Sequence, residues 1–467
     1  MGSRNNNREA VYILASSGQY VGFIGDRFDL GTKAKNKDFA ILLLARALMS
    51  GARALSGVIA AIYLSIIGFN AFEIGMVFLA IGIFSAVLSS LIGLVSDQFG
   101  TKPFLVVIPL FACLAGASFA FSDNHVLLIL MATLGTFGRG AGAGAGAVGP
   151  YQPAESSLLL QISGHKKRNK AFAMMASASA FGAVVGGILS AVMTPGTHVV
   201  HSALAAYRDA FLATAVLAGL AGAVAIALNP DSGRLEESDV VDDLDAGREE
   251  TESAAAVKVK RSIKFPHKSK PLLYRLWLTN GINGLGVGFF GPFVSYWFYK
   301  RFNLSTAEIG YLFVILNAVT MFSTLSASRV AKYFGIIKAT VYLRTVQGIL
   351  LIPLALSPNV YVAGAVFLVR SLVQRMSVPL RQSYVLAMAD ETERASVAAL
   401  SNFPSQVAMS ASPVLAGYIY DEISLAIPFE IAGVLQLINS IVYWEFFKNT
   451  PPEDEVRKSV QPSISGN

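Results

Sequence analysis

The sequence predicts an all-α polytopic membrane protein with twelve transmembrane helices in two pseudo-symmetric six-helix bundles. Three observations carry this prediction. Of 467 residues, 54% are hydrophobic and only 14% are charged, whereas soluble domains carry about 25% charged residues. The apolar residues come in blocks of about 20 or more, the length that crosses about 30 Å of hydrocarbon as helix. The blocks number six, then a long hydrophilic gap, then six more. A large soluble enzyme is excluded at this point.

Taken in order, residues 1–38 form an N-terminal tail. They mix six basic residues with Asp26 and Asp29 and lack the clean apolar stretch and cleavage site of a secretory signal. Spans 1 to 6 lie near 39–66, 71–95, 103–122, 125–150, 170–194 and 207–228, making a first bundle over 39–228. A central loop, 229–271, follows. Its Asp231–Glu252 stretch holds ten acidic and two basic residues, and Lys258–Arg275 holds seven basic and no acidic ones. Spans 7 to 12 lie near 272–299, 305–331, 336–357, 359–385, 395–420 and 424–447, making a second bundle over 272–447, and residues 448–467 form a C-terminal tail. With both termini in the cytoplasm, 27 of the 37 lysines and arginines fall on the cytoplasmic side, against Arg208, Lys300 and Arg301 outside. The expected location is therefore the cell membrane, multi-pass, and the +7 net charge is a topology signal with no nucleic-acid partner implied. The basic half of the central loop suits anionic lipid headgroups of the bilayer.

Residues that suggest cofactor or metal chemistry have a plainer reading. Cys113 is the sole cysteine, so no disulfide framework or Cys-based zinc site exists. The five histidines lie in predicted loops or, for His125, at the very start of a span. The glycines from Gly138 to Gly149 lack the Lys-Ser or Lys-Thr pair of a nucleotide loop and instead suit close helix packing. No cofactor is expected.

The two halves repeat one another. Pro153-Ala-Glu155-Ser-Ser157 followed by Arg168 aligns with Pro379-Leu-Arg381-Gln-Ser383 followed by Arg394, at the same Pro-to-Arg separation of 15. Gly182 to Gly187 on span 5 parallels Ser412 to Gly417 on span 11, and Gln98-Phe99-Gly100 parallels Tyr333-Phe334-Gly335. With Gly93-Leu-Val-Ser-Asp97-Gln-Phe-Gly100-Thr-Lys102-Pro between spans 2 and 3, the chain resembles the major facilitator superfamily over nearly its whole length. The resemblance implies an alternating-access transporter in which Gly93, Asp97, Gly100 and Lys102 form a latch, Asp97 meeting the N-terminal end of span 11. Arg139 matches the family's span 4 arginine. The span 5 motif is present as Gly182, Gly186 and Gly187 with Ala183 in place of its proline, while Pro413 stands in the second half.

Ionisable residues inside lipid are functional hypotheses by default. Arg46, Ser50 and Arg53 share one face of span 1, and Arg53 lies about 21 Å in from Phe39, beyond easy snorkelling. Arg370 lies eleven residues into span 10. Spans 1, 4, 7 and 10 line the central cavity in the resembled fold, so Arg53, Arg139 and Arg370, with Asn280 and Asn283 of span 7, are the candidate substrate-cavity residues. Fixed guanidiniums in a low-dielectric cavity favour an anionic ligand. Glu155 and Arg381, one from each repeat, form a candidate inter-bundle gate. The expected function is export or exchange of a small anionic or amphipathic organic solute by a monomer, with protons or a counter-anion as candidate coupling species. The alternatives are a proton-coupled multidrug antiporter and, from another class, a non-transporting scaffold or sensor. No nucleophile-base-orienter set exists for an enzyme.

Overall fold

In the computed structural model, residues 33–137, 149–194, 200–229, 268–390, 393, 397 and 400–449 are described, and all regular structure among them is helical. The first half contains α1 (Lys33–Ile66), α2 (Ala71–Phe99), α3 (Lys102–Phe121), α4 (His125–Leu134), α5 (Tyr151–Met193) and α6 (Val200–Ile226). The second contains α7 (Lys270–Phe290), α8 (Val294–Phe302), α9 (Thr306–Phe334), α10 (Ile336–Ala355), α11 (Val360–Met388), α12 (Phe403–Glu422) and α13 (Ile427–Phe447). Seven of the described helices are long and apolar enough to cross a membrane. Large apolar side chains such as Ile83, Leu91, Val216 and Ile441 point outward, as lipid-facing positions require.

Local chemistry starts and stops these helices. Asn70 caps α2 through a capping box with Glu73, Asn124 accepts from the Val126 and Leu127 N–H groups to start α4, and Asn359 caps α11. Proline stands in the first turn of α3, α7, α12 and α13, where its missing N–H costs nothing. Gly100 ends α2 at φ 79° and ψ 170°, and Gly335 ends α9 at φ 76° and ψ 158°. The two glycines paired by the internal repeat thus adopt the same backbone conformation, one that side-chain-bearing residues rarely reach.

Three predicted spans need correction. Span 4 is not one helix over 125–150: α4 stops at Leu134 and the next described helix begins at Tyr151. Span 7 is divided into α7 and α8 at Gly291-Pro292-Phe293, because a proline there removes a helix hydrogen bond. Spans 4 and 5 are joined in the 43-residue α5. This run cannot be a straight rod. Glu155 and Ser179 would lie about 36 Å apart on a straight helix. Yet Glu155 pairs with Arg46 and the Ser179 carbonyl accepts from Ser50 Oγ at 2.6 Å, and Arg46 and Ser50 are one turn apart on α1. The chain therefore doubles back between them, so α5 supplies both the end of span 4 and the whole of span 5.

The cores show how the halves meet. Both termini of the helical region, Lys33 and Phe447, lie toward one face, here called the terminal face. Toward the other face a single apolar cluster joins both halves, including Tyr63, Phe78, Phe211, Phe293, Trp297 and Tyr420. Toward the terminal face the clusters of described residues are separate: one around Leu42, Tyr151 and Leu158 draws on the first half, and two around Tyr384, Tyr443 and Leu380 draw on the second. Among the described residues, the apolar core is shared by both halves at the opposite face and divided between them at the terminal face.

Candidate functional site

Arg53 and Arg370 each lie against a break in a helix. Arg53, half-buried on α1, donates from Nη1 to Thr136 Oγ1 at 3.3 Å. Thr136 sits just past α4 at φ 46°, a conformation a β-branched residue adopts only under constraint. Across the gap between α4 and α5, a Cβ added to Gly149 (φ 61°) would meet the Arg53 guanidinium nitrogens at 3.1 and 3.2 Å. The guanidinium therefore lies between the two ends of the interrupted span. Arg370 on α11 is 0% exposed, and its guanidinium carbon lies 4.1 Å from the ring centroid of Phe290, the last residue of α7 before the second break. Its Nη1 donates to Gln374 Oε1 at 3.1 Å, while Nε and Nη2 have no hydrogen-bond partner among the described residues. Among the described residues no carboxylate pairs with it.

The other candidate cavity residues divide. Arg139 lies outside the described residues. Asn283 is half-buried on α7, its backbone carbonyl accepting weakly from Gln436 Nε2 at 3.4 Å. Asn280 has both ends of its amide engaged by protein groups. It is 1% exposed, its Nδ2 donates to the Ser401 carbonyl at 2.6 Å and its Oδ1 accepts from Arg381 Nη1 at 2.7 Å. The two candidate gate residues do not meet each other in this arrangement. Arg381 spends its guanidinium inside its own half, on Asn280 and on Asn402 Oδ1 at 3.2 Å, and Glu155 pairs with Arg46 in the other half. Both pairings keep a buried charge next to its nearest compensation, which the symmetry of the repeat does not encode.

In the expected latch, Gly93 and Asp97 belong to α2, but their side-chain surroundings lie outside the described set. Gly100 ends the helix, and Lys102 Nζ donates to the Leu228 carbonyl at 2.6 Å, satisfying a carbonyl at the end of α6. The span 5 glycines face two ways. A Cβ on Gly182 or Gly186 would collide with the Ala47 or Gly51 carbonyl of α1, whereas one on Gly187 would meet Val314 of α9 at 3.0 Å. Pro413 faces across the same interface, its carbonyl against Gly75 of α2.

Sequence reasoning missed the contacts that join the halves at the opposite face. Asp421 of α12 accepts from the Ala71 and Phe72 N–H groups of α2 at 3.0 and 2.8 Å, and Tyr207 of α6 hydrogen-bonds Thr306 of α9. The signal available was Asp421 and Glu422 in the last turn of α12, where acidic groups oppose the helix dipole and need an outside partner.

An all-helical membrane chain whose two halves share one apolar core at a single face agrees with the sequence comparison. Residues 42–373 and 276–465 match the sequence model of the Major Facilitator Superfamily. The chain belongs to this superfamily. It is 24% identical over 361 residues to an uncharacterized membrane protein of Saccharomyces cerevisiae, covering 74% of this chain and 80% of that one. Among solved structures it is similar to the nucleoside transporter NupG (13% identity, TM-score 0.65, 90% of this chain and 100% of the other). It also resembles a D-xylose-proton symporter (13%, 0.66, 88% and 97%) and the human organic anion transporter MFSD10 (14%, 0.58, 88% and 100%). These likenesses establish the fold. The chain is a multi-pass major facilitator superfamily transporter, and its substrate has to be argued from its own residues.

Proposed function

We propose that the chain moves a small organic anion with an apolar body across the membrane by alternating access, as export or exchange. Arg370 carries this reading. A guanidinium stays charged even when buried, and leaving one in a bilayer interior without a carboxylate is costly unless a ligand or a changing conformation uses it. Two of its nitrogens are unpartnered among the described residues, and its neighbours are aromatic: Phe290 beneath it and Phe367 one turn earlier, 5.9 Å from Phe298. That surrounding suits a ligand with a carboxylate or phosphate at one end and a hydrophobic surface at the other. Arg53 at the second helix break supplies a further cation, and interrupted helices at mid-depth are where transporters expose backbone groups to substrate.

Because Arg370 is sealed in this arrangement, with the opposite face shut, it meets ligand when that face opens, while Arg53 is already partly exposed. The lysine and arginine bias supports cytoplasmic termini, so the closed opposite face is the outer one and this conformation is inward-facing. The protein works as a monomer coupled to protons or a counter-anion, and carries no enzymatic activity. In proteoliposomes, Arg53→Ala and Arg370→Ala should each abolish uptake of organic carboxylates or phosphates while the protein stays folded. Undiminished anion uptake in both variants overturns the reading and favours broad-specificity efflux or a non-transporting role.

A further inference from the structure

The geometry points to Asp421 as the residue that sets how long the opposite face stays shut: its carboxylate, carried by the second half, completes the N-terminus of a helix in the first. The inference rests on superfamily membership and is independent of the substrate class.

Every helix begins with four N–H groups that have no partner within it. In α2 all four are filled. The Asn70 N–H donates to Glu73 Oε2 at 2.9 Å and the Glu73 N–H to Asn70 Oδ1 at 2.8 Å, within the helix's own capping box. The remaining two, from Ala71 and Phe72, go to the two oxygens of Asp421, about 350 residues away in sequence. At home on α12 this carboxylate sits at the negative end of a helix, where it is disfavoured. Against α2 it sits at a positive end, where it is favoured. Its placement gains only while the two halves are together.

The surrounding contacts make the docking all-or-none. A Cβ on Gly417 would collide with the Ala71 carbonyl, and one on Gly75 with the Pro413 carbonyl, so α2 and α12 touch backbone to backbone beside the carboxylate. Separating the faces by a few ångströms therefore breaks both hydrogen bonds at once. Asp421 is exposed on its other side, so water can take over its lone pairs and the two N–H groups when the face opens. This makes the contact a releasable clasp and distinguishes it from the buried Arg46–Glu155 pair.

The test uses spin labels on Val126→Cys at the start of α4 and Tyr361→Cys at the start of α11, in a Cys113→Ala background. The two sites are 75% and 85% exposed and belong to different halves. Pulsed electron resonance on the full chain in lipid nanodiscs reads the distance between them. Asp421→Asn, which keeps the shape and removes the charge, should raise the ratio of the long-distance to the short-distance population by about ten-fold. Asp421→Glu should restore most of the short population, Glu422→Gln should leave it unchanged, and melting temperatures should match across the set. An Asp421→Asn distribution identical to that of the parent overturns the assignment, as does an equal shift in Glu422→Gln. A drop in melting temperature without a distance shift, which marks a merely structural carboxylate, also overturns it.

Discussion

At the residue scale, the buried charges of this chain fall into two kinds, and the difference is whether the fold supplies a counter-charge. Glu155, 2% exposed, is held by Arg46. Removing one partner strands the other in a medium that cannot solvate it. Glu155→Leu should therefore cost about 3–5 kcal/mol of stability, read as a large fall in melting temperature in detergent. Arg46→Met combined with Glu155→Leu should recover most of that loss, because an apolar pair has no charge to strand. Arg370 is the other kind. It has a ring face, one amide and no carboxylate among the described residues. Arg370→Lys keeps the charge but loses the planar fork and the stacking on Phe290. Its expected effect is an apparent anion affinity about ten-fold weaker, or about 1.4 kcal/mol, with folding preserved, measured by substrate-dependent thermal shift and transport KM.

At the element scale, the helices end where backbone conformation demands it. Gly100 and Gly335 stop α2 and α9 with nearly the same dihedral angles, so the two turns should respond alike. Alanine at either position should cost about 1–3 kcal/mol, measured by thermal unfolding, and the two effects should agree more closely with each other than with any other glycine in the chain. The sequence made these turns legible because the repeat places the same Phe-Gly pair in both. The interruption of span 4 was harder to read. Its apolar pattern runs on without a charged or proline break through Thr136, and nothing local marks that residue's left-handed conformation. The fold decides it, by pressing Arg53 between the two ends. The division of span 7 had a local signal in Gly291-Pro292, outweighed by the aromatic residues that continue the hydrophobic run to Tyr299.

At the scale of the whole molecule, function depends on how the two halves part and meet. On the closed face the interface is built from small residues: Gly75, Gly82 and Gly417 between α2 and α12, and Gly187 and Gly310 between α5 and α9. These permit approach at backbone distance, the means by which helices associate when lipid removes the hydrophobic drive. Gly75→Leu should hold the opposite face open. The Val126–Tyr361 label distance should lengthen in most molecules, and net transport should fail while substrate still binds. A short distance in that variant would show that α2 and α12 are not the closing surfaces.

The sequence by itself determined that this chain lives in a bilayer, that it is built of apolar helices in the major facilitator pattern, and that a few arginines sit where lipid should exclude them. Those properties are written in windows of about 20 residues, because hydrophobic length and loop charge act locally. Only the tertiary structure decided which group each polar side chain answers. Arg46 takes Glu155 across 109 residues, Lys102 takes the Leu228 carbonyl across 126, and Asp421 takes the start of α2 across 350. Charge pairing in a low-dielectric interior is settled within about 4 Å, and that proximity is created by how helices pack, not by spacing along the chain.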